Sequence, residues 1–245
     1  MIPKVIHYCW FGHGKQPKLG RKCIASWQKY FPDYEIKEWN EDNFDVNMIP
    51  YSAQAYKAGK YAFVSDYARF WILYHYGGIY LDTDVEVIKP MDEMIATGAF
   101  MAAETSVERG QRLYIATGLG MGCEAGHPFL KECLDMYAHL EFDTSKRIKT
   151  VCEYVTELLD KRGLQQKDEI QQVCGFTIYP WDYMCPISTE GLVMRKTSNT
   201  VSIHHYAASW SSPAKRFKKR MARMMGPWLT MMIIRVKRYF KRIVK

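Results

Sequence analysis

The stretch from residue 62 to residue 87 most constrains what this chain can fold into. Phe63, Tyr67, Phe70 and Tyr74 recur at helical spacing, and Asp66, Arg69 and Leu73 form a second stripe, which predicts a helix over 62–76. Gly77-Gly78 stops it and lets the chain turn. Ile79-Tyr80-Leu81-Asp82-Thr83-Asp84-Val85-Glu86-Val87 then reads as an apolar strand that ends in two carboxylates one residue apart. Strand side chains alternate, so Asp82 and Asp84 are expected on the same side where the strand runs out. Two like charges held that close call for a cation. An oxygen-only pair suits Mg2+ or Mn2+, which keeps positions open that phosphates commonly complete, so a diphosphate is the ligand that follows. The helix before it sets one Asp and one Arg beside that strand end.

The N-terminal run Val5-Ile6-His7-Tyr8-Cys9-Trp10-Phe11-Gly12 suits a buried first strand of an α/β sheet. Open α/β folds place ligands at the carboxyl ends of their strands. Trp10 there either fills the core or stacks on a planar base; His7 reads as a core histidine. Residues 19–31 pattern as a helix, 35–39 as a strand, and 51–61 as a polar helix leading into the next. Further on, 100–104 reads as a strand, 105–112 as a polar loop placed to gate the site, and 117–122 as a glycine-spaced turn that is not a Rossmann fingerprint. Helices are expected near 127–139 and 148–162. Two aromatic-rich runs follow, Phe176 to Tyr183 and Val201 to Trp210, the second holding the His204-His205 pair at a strand end.

At this point the sequence resembles a known family. The run SDYARFWILYHYGGIYLDTDVEVIKP, together with IHYCWFG and SWQKYFPDYEIKEWNEDN, is similar to the glycosyltransferases whose sugar-binding region contains a DxD motif. These include capsular-polysaccharide transferases, outer-chain mannosyltransferases and, more distantly, the catalytic domain of clostridial glucosylating toxins. The resemblance implies a GT-A-type α/β fold, with a mostly parallel central sheet flanked by helices. It implies transfer of a sugar, with retention at the anomeric carbon, from a nucleoside-diphosphate sugar to an acceptor hydroxyl. Asp84 is then expected to bind Mn2+ or Mg2+ with His205, five residues before Trp210, and Asp82 to bridge the metal to the donor ribose. Asp66 and Arg69 would hold hydroxyls of the transferred sugar. Trp10 and Tyr80 would line the nucleotide pocket, and Trp210 would close over the phosphates. Trp10 favours a UDP-sugar, with GDP-mannose open.

Charge divides the chain. Residues 213–245 hold 12 of the 34 Lys and Arg and no Asp or Glu, so residues 1–212 carry 22 basic against 26 acidic side chains. The net +8 therefore belongs to the tail. Residues 1–212 are expected as the transferase domain and 213–245 as an appendage of amphipathic helices, with Phe217, Met221, Trp228, Ile233, Tyr239 and Phe240 on the apolar side and Lys and Arg opposite. No window there reaches the ~18 uncharged apolar residues of a spanning helix, so the tail is expected to lie on an anionic membrane surface. A partner protein competes with that reading. Nucleic acid is disfavoured, since phosphate binding needs no apolar stripe. Seven cysteines without a Cys-x-x-Cys pair, and no signal peptide at Met1-Ile2-Pro3-Lys4, suggest a reducing cytoplasm and the inner face of its membrane. The expected acceptor is accordingly a lipid-linked or polysaccharide glycan in capsule, O-antigen or other surface-polysaccharide synthesis. A toxin-like protein glycosyltransferase and a catalytically silent nucleotide-sugar-binding protein are the alternatives.

Overall fold

The computed structural model describes residues 1–187 and 193–207. The strands are β1 (Val5–Cys9), β2 (Glu35–Trp39), β3 (Gly78–Tyr80), β4 (Val85–Val87), β5 (Phe100–Ala102), β6 (Met121–Cys123), β7 (Gln171–Val173), β8 (Phe176–Tyr179) and β9 (Ser202–His204). The helices are α1 (Lys18–Tyr30), α2 (Pro50–Lys57), α3 (Tyr61–Tyr76), α4 (Asp92–Ala96), α5 (Pro128–Ala138), α6 (Val151–Asp160) and α7 (Trp181–Met184).

Seven strands form one sheet in the order β2-β1-β3-β6-β5-β8-β7. β1 is parallel to both β2 and β3, and β5 to β8. β6 is antiparallel to β3 and to β5, and β7 to β8. Five strands, β2, β1, β3, β5 and β8, therefore run one way, and their carboxyl ends share one edge. This is the α/β fold with a mostly parallel sheet that the sequence led us to expect.

Strand alternation divides the core. Cys9, Tyr80, Met101 and Ile178 face one apolar cluster, which α2, α3, α5 and α6 cover. Tyr8, Ile79, Phe100 and Tyr179 face the other, with Cys23 and Trp27 of α1, Met94 of α4 and Met184 of α7. Helix α3 is buried on more than one face, because its apolar residues Val64, Tyr67, Phe70, Ile72 and Leu73 reach most of the way round it. It ends at Gly77 (φ 64°), whose N–H reaches Leu73 O at 2.9 Å. A β-carbon at Gly77 would lie 2.7 Å from Ala125 N, so both conformation and space demand glycine there.

His7 fastens three segments. Trp39 Nε1 donates to its Nδ1 at 3.0 Å, and its Nε2 pairs with Gly77 O at 3.0 Å. Such an arrangement fits only the neutral ring, and the residue is buried at 2% exposure.

Two expectations are corrected. The helix expected over 51–61 ends at Lys57, and Gly59 (φ 66°) separates it from α3. The strand expected to run through the two aspartates stops at Tyr80. Leu81 N still bonds His7 O and Asp82 N still bonds Gly118 O, but Val85 N then folds back to Asp82 O at 2.9 Å, making a turn. The chain leaves the main sheet there, and β4 pairs with β9 in a separate two-stranded sheet.

Candidate metal and diphosphate site

The turn, rather than strand alternation, brings Asp82 and Asp84 together. β4 leaves it anchored by Trp27, whose Nε1 donates to Val85 O at 2.8 Å. The antiparallel register of β4 and β9 sets Val85 opposite His204, and His205 N donates to Asp84 O at 2.9 Å. Ligand atoms of Asp82, Asp84 and His204 all lie within 4.8 Å of one another. Two carboxylates and one imidazole form a donor set suited to a divalent ion such as Mn2+, with positions left for phosphate oxygens.

Each carboxylate is held from outside the cluster. Asp82 Oδ1 accepts from Tyr80 Oη at 3.0 Å and pairs with Arg69 Nη2 at 3.3 Å. Arg69 also reaches Asp66 Oδ1 (2.9 Å), Thr117 Oγ1 (3.2 Å) and Ser65 O (3.0 Å) and is 3% exposed. Burial pushes the Asp66 carboxyl up to about 7, with Arg69 opposing and Asp82 adding to the rise. Asp84 Oδ1 lies 3.1 Å from His204 Nε2, and Oδ2 accepts from Ala207 N at 2.7 Å. Burial acts against the charged form of Asp84, but the His204 charge and these hydrogen bonds outweigh it and lower the carboxyl to about 2. Burial likewise opposes the charged form of His204, and Asp84 outweighs it, raising His204 well above the ordinary imidazole value. The imidazolium thus balances Asp84 from the place where a metal ligand would stand.

Gly118 completes the floor. A β-carbon there would lie 1.9 Å from Asp82 Oδ2 and 3.0 Å from Arg69 Nη1.

Other expected residues divide into those the fold brings to this edge and those it does not. Trp10 follows β1 at the same carboxyl edge as Asp82, one strand over; it is half-buried, and its Nε1 donates to Gly14 O. Tyr80 is 1% exposed, with its ring 4.8 Å from the Arg69 guanidinium carbon and its hydroxyl donating to Asp82 Oδ1. Asp66 and Arg69 lie behind Asp82 at 8% and 3% exposure, with Arg69 pairing to both carboxylates. His205 faces away: its Nε2 sits 2.8 Å from Glu86 Oε2, whose other oxygen takes Lys22 Nζ at 2.7 Å. Adjacent residues of a strand point to opposite sides, and the β4 pairing decides that His204 is the inward one. Trp210 and the tail 213–245 lie outside the described residues.

The sequence reading missed three contributors. Thr117 lay in the noticed glycine-rich turn, but nothing local marked its hydroxyl as a partner of Arg69. Tyr206 adopts a left-handed backbone (φ 49°), packs its ring 4.3 Å from His204, and sets its hydroxyl 3.0 Å from Cys185 Sγ and 3.4 Å from Glu104 Oε2. Glu104, just beyond β5, is a carboxylate whose burial raises its pKa while the His204 charge opposes the rise. The expected gate over 105–112 is pinned instead: Asp168 accepts from Ser106 Oγ, Val107 N and Glu108 N at 2.6–3.1 Å.

Comparison with known proteins agrees with this geometry. Residues 17–101 match the model of the glycosyltransferase sugar-binding region containing DXD motif. Inositol phosphoceramide mannosyltransferases 1 and 3 of Schizosaccharomyces pombe are 30% and 32% identical to this chain over 42% and 53% of its length. The chain spans about a third of the length of these relatives, 34% and 35%. Among solved structures, a glycosyltransferase involved in the glycosylation of the major capsid of PBCV-1 superposes with a TM-score of 0.51 over 90% of this chain and 99% of that one, at 13% identity. Such low identity speaks for the fold alone. Residues 17–101, which include the Asp82-Thr83-Asp84 turn, are thus similar to the glycosyltransferase sugar-binding region containing DXD motif, and the chain shares its α/β fold with the PBCV-1 glycosyltransferase.

Proposed function

We propose that this chain is a metal-dependent, retaining glycosyltransferase that moves a sugar from a nucleoside-diphosphate sugar to a hydroxyl of a lipid-linked or polysaccharide glycan. The observation that carries the reading is the convergence of Asp82, Asp84 and His204 within 4.8 Å, backed by the buried Arg69. Asp82, Asp84 and His204 would hold a divalent cation, which would supply positive charge to the departing diphosphate. Arg69, Tyr80 and Thr117 hold Asp82 in one orientation, and Gly118 leaves room for it. Trp10, beyond β1, offers its indole to the base, which favours a UDP-sugar; the mannosyltransferase names of the relatives keep GDP-mannose in the test.

His204 replaces His205 as the third ligand in this reading. The relatives' names point to a phosphoinositol-bearing lipid as one acceptor type. Membrane contact is assigned to residues 213–245 through their basic amphipathic pattern, which puts the enzyme at a membrane surface during surface-glycan assembly. Among the described residues no helix is long and apolar enough to cross a membrane.

The test is a panel of UDP- and GDP-sugars with Mn2+, scored for donor hydrolysis. One donor should be hydrolysed, and the activity lost with chelator and in Asp84→Ala. His204→Ala should raise the half-saturating Mn2+ concentration by more than about tenfold, and His205→Ala by less. Absence of hydrolysis with every donor would overturn the reading.

A further inference from the structure

The sheet order separates two halves of the carboxyl edge. Trp10 lies on the β1 side of Asp82. On the other side, past β6, the parallel neighbours β5 and β8 leave the sheet together, with Ala102 opposite Tyr179. The loop after β5 carries Arg109, and the helix after β8 begins with Trp181. These two side chains, 72 positions apart in sequence, meet: the Arg109 guanidinium carbon lies 3.5 Å from the centre of the Trp181 ring.

This loop is built to hold that pose. Three donors of residues 106–108 converge on Asp168, as described above. Gly110 N returns to Val107 O at 2.8 Å, Thr105 Oγ1 donates to Arg112 O at 2.7 Å, and Leu113 N donates to Gln166 Oε1 at 2.9 Å. So many bonds in one short loop fix where Arg109 stands.

Among the described residues the guanidinium they present has the Trp181 ring as its close partner. Among the described residues Arg109 makes no ion pair and no side-chain hydrogen bond, although it is half-buried. The two carboxylates whose charge acts on it are hydrogen-bonded elsewhere. Asp168 serves the loop, and Asp182 Oδ2 accepts from Thr197 Oγ1 and Asn199 Nδ2 at 2.9 and 3.0 Å. Burial and then the Arg195 charge press the pKa of Arg109 below its ordinary value, with Asp168 and Asp182 opposing more weakly. Stacking uses the face of the guanidinium and leaves its N–H edge, the geometry that grips a phosphate in bidentate fashion. The position is within reach of the transfer site. α7 spans four residues from Trp181, roughly 6 Å of helix, and its C-terminal neighbour Cys185 touches Tyr206, which packs on His204.

We propose that Arg109, flattened on Trp181, is an anion subsite that takes a phosphate group of the acceptor. The enzyme's acceptor is then a phosphate-bearing head group, with its hydroxyl directed toward the metal side and its phosphate held by Arg109. The assignment rests on the transferase reading for what the phosphate is attached to.

The experiment uses the full chain with UDP and Mn2+ present, so that the diphosphate site is filled. Binding of glycerophosphoinositol, a soluble phosphodiester, is measured by calorimetry beside inositol 1-phosphate, myo-inositol and inorganic phosphate. We expect the phosphodiester or the monoester to bind and myo-inositol not to. Arg109→Ala should weaken the phosphate-bearing probe by tenfold or more, and Arg195→Ala by a smaller, salt-sensitive factor. Arg109→Lys should restore little, because lysine has neither the planar fork nor the stack; it also keeps the charge if alanine disturbs the loop, and thermal melts of both variants report folding. Equal binding of myo-inositol and the phosphodiester, or unchanged affinity in both folded variants, would overturn the proposal. Inorganic phosphate binding as tightly as the esters would also overturn it, since the site would then be a free-anion site. Donor hydrolysis by the unmodified chain is measured in parallel. Its absence would refute the transferase reading whatever the phosphate probes do, and its presence with indifferent probes would refute this inference alone.

Discussion

Replacing Gly118 by alanine should separate activity from stability. The backbone of Gly118 does not lie in the left-handed region, so alanine is conformationally acceptable. Its methyl group, however, would stand 1.9 Å from Asp82 Oδ2 and 2.7 Å from Asp82 Cγ. Carbon and oxygen need well over 3 Å, so the carboxylate must retreat by roughly 1 Å or more. Asp82 can do so at modest folding cost because its side chain is 30% exposed. The substitution also removes glycine's freedom from the unfolded chain, which offsets about 0.4–1 kcal/mol. Net stability should therefore shift by no more than about 1 kcal/mol. A displacement of about 1 Å at a catalytic group costs about 10²-fold in rate, or about 2.7 kcal/mol of transition-state stabilisation. The assay is steady-state kcat/KM for donor hydrolysis beside thermal melting. Gly122→Ala is the comparison: its methyl would lie 2.4 Å from Phe100 Cε1 in the core, where overpacking costs about 1–3 kcal/mol, so that variant should lose stability first. A Gly118→Ala enzyme with undiminished kcat/KM would show that the observed Asp82 orientation is not the one used.

Two buried titrations should be visible in urea unfolding. His7 is lowered to about 4, chiefly by burial; its folded form is neutral, so its contribution is present above about pH 6.5 and lost as pH falls through 4, a difference of about 3 kcal/mol. His7→Gln should flatten that acid slope, and an unchanged slope would contradict the neutral latch. Asp66 behaves oppositely: with a folded pKa raised to about 7, its contribution is full below about 4 and is lost as pH rises through 7, about 4 kcal/mol at most. Asp66→Asn should therefore gain on wild type as pH rises from 4 to 7, and an identical pH profile would refute it. Arg69→Ala should destabilise by about 3–5 kcal/mol, since it strands two carboxylates, and Arg69→Ala combined with Asp66→Asn should recover part of that loss; no recovery would mean that Asp66 is not the residue left uncompensated.

Much of this protein was determined locally. β1, α1, β2 and α3 could be read from apolar period and punctuation within a residue or two, because helix and strand patterns record which face of an element is buried. The contiguous run through Asp66, Arg69, Asp82 and Asp84 was enough to point to the sugar-binding-region likeness found over residues 17–101 and to the kind of fold. Tertiary structure decided what meets across elements. Period two set the aspartates on one strand face, but a turn bonded from Val85 to Asp82 is what joins them. His204 and His205 are indistinguishable in the sequence, and only the pairing of β9 with β4 turns the first toward Asp84 and the second toward Glu86. Tyr80 reads in the sequence as a pocket wall, and only packing sets its ring by Arg69 and its hydroxyl on Asp82. Gly118 against Asp82, and Arg109 on Trp181, are contacts between segments far apart in the chain. Periodicity reports the face a residue takes on its own element, whereas the partner it meets there depends on sheet order and register, which arise only when distant segments pack.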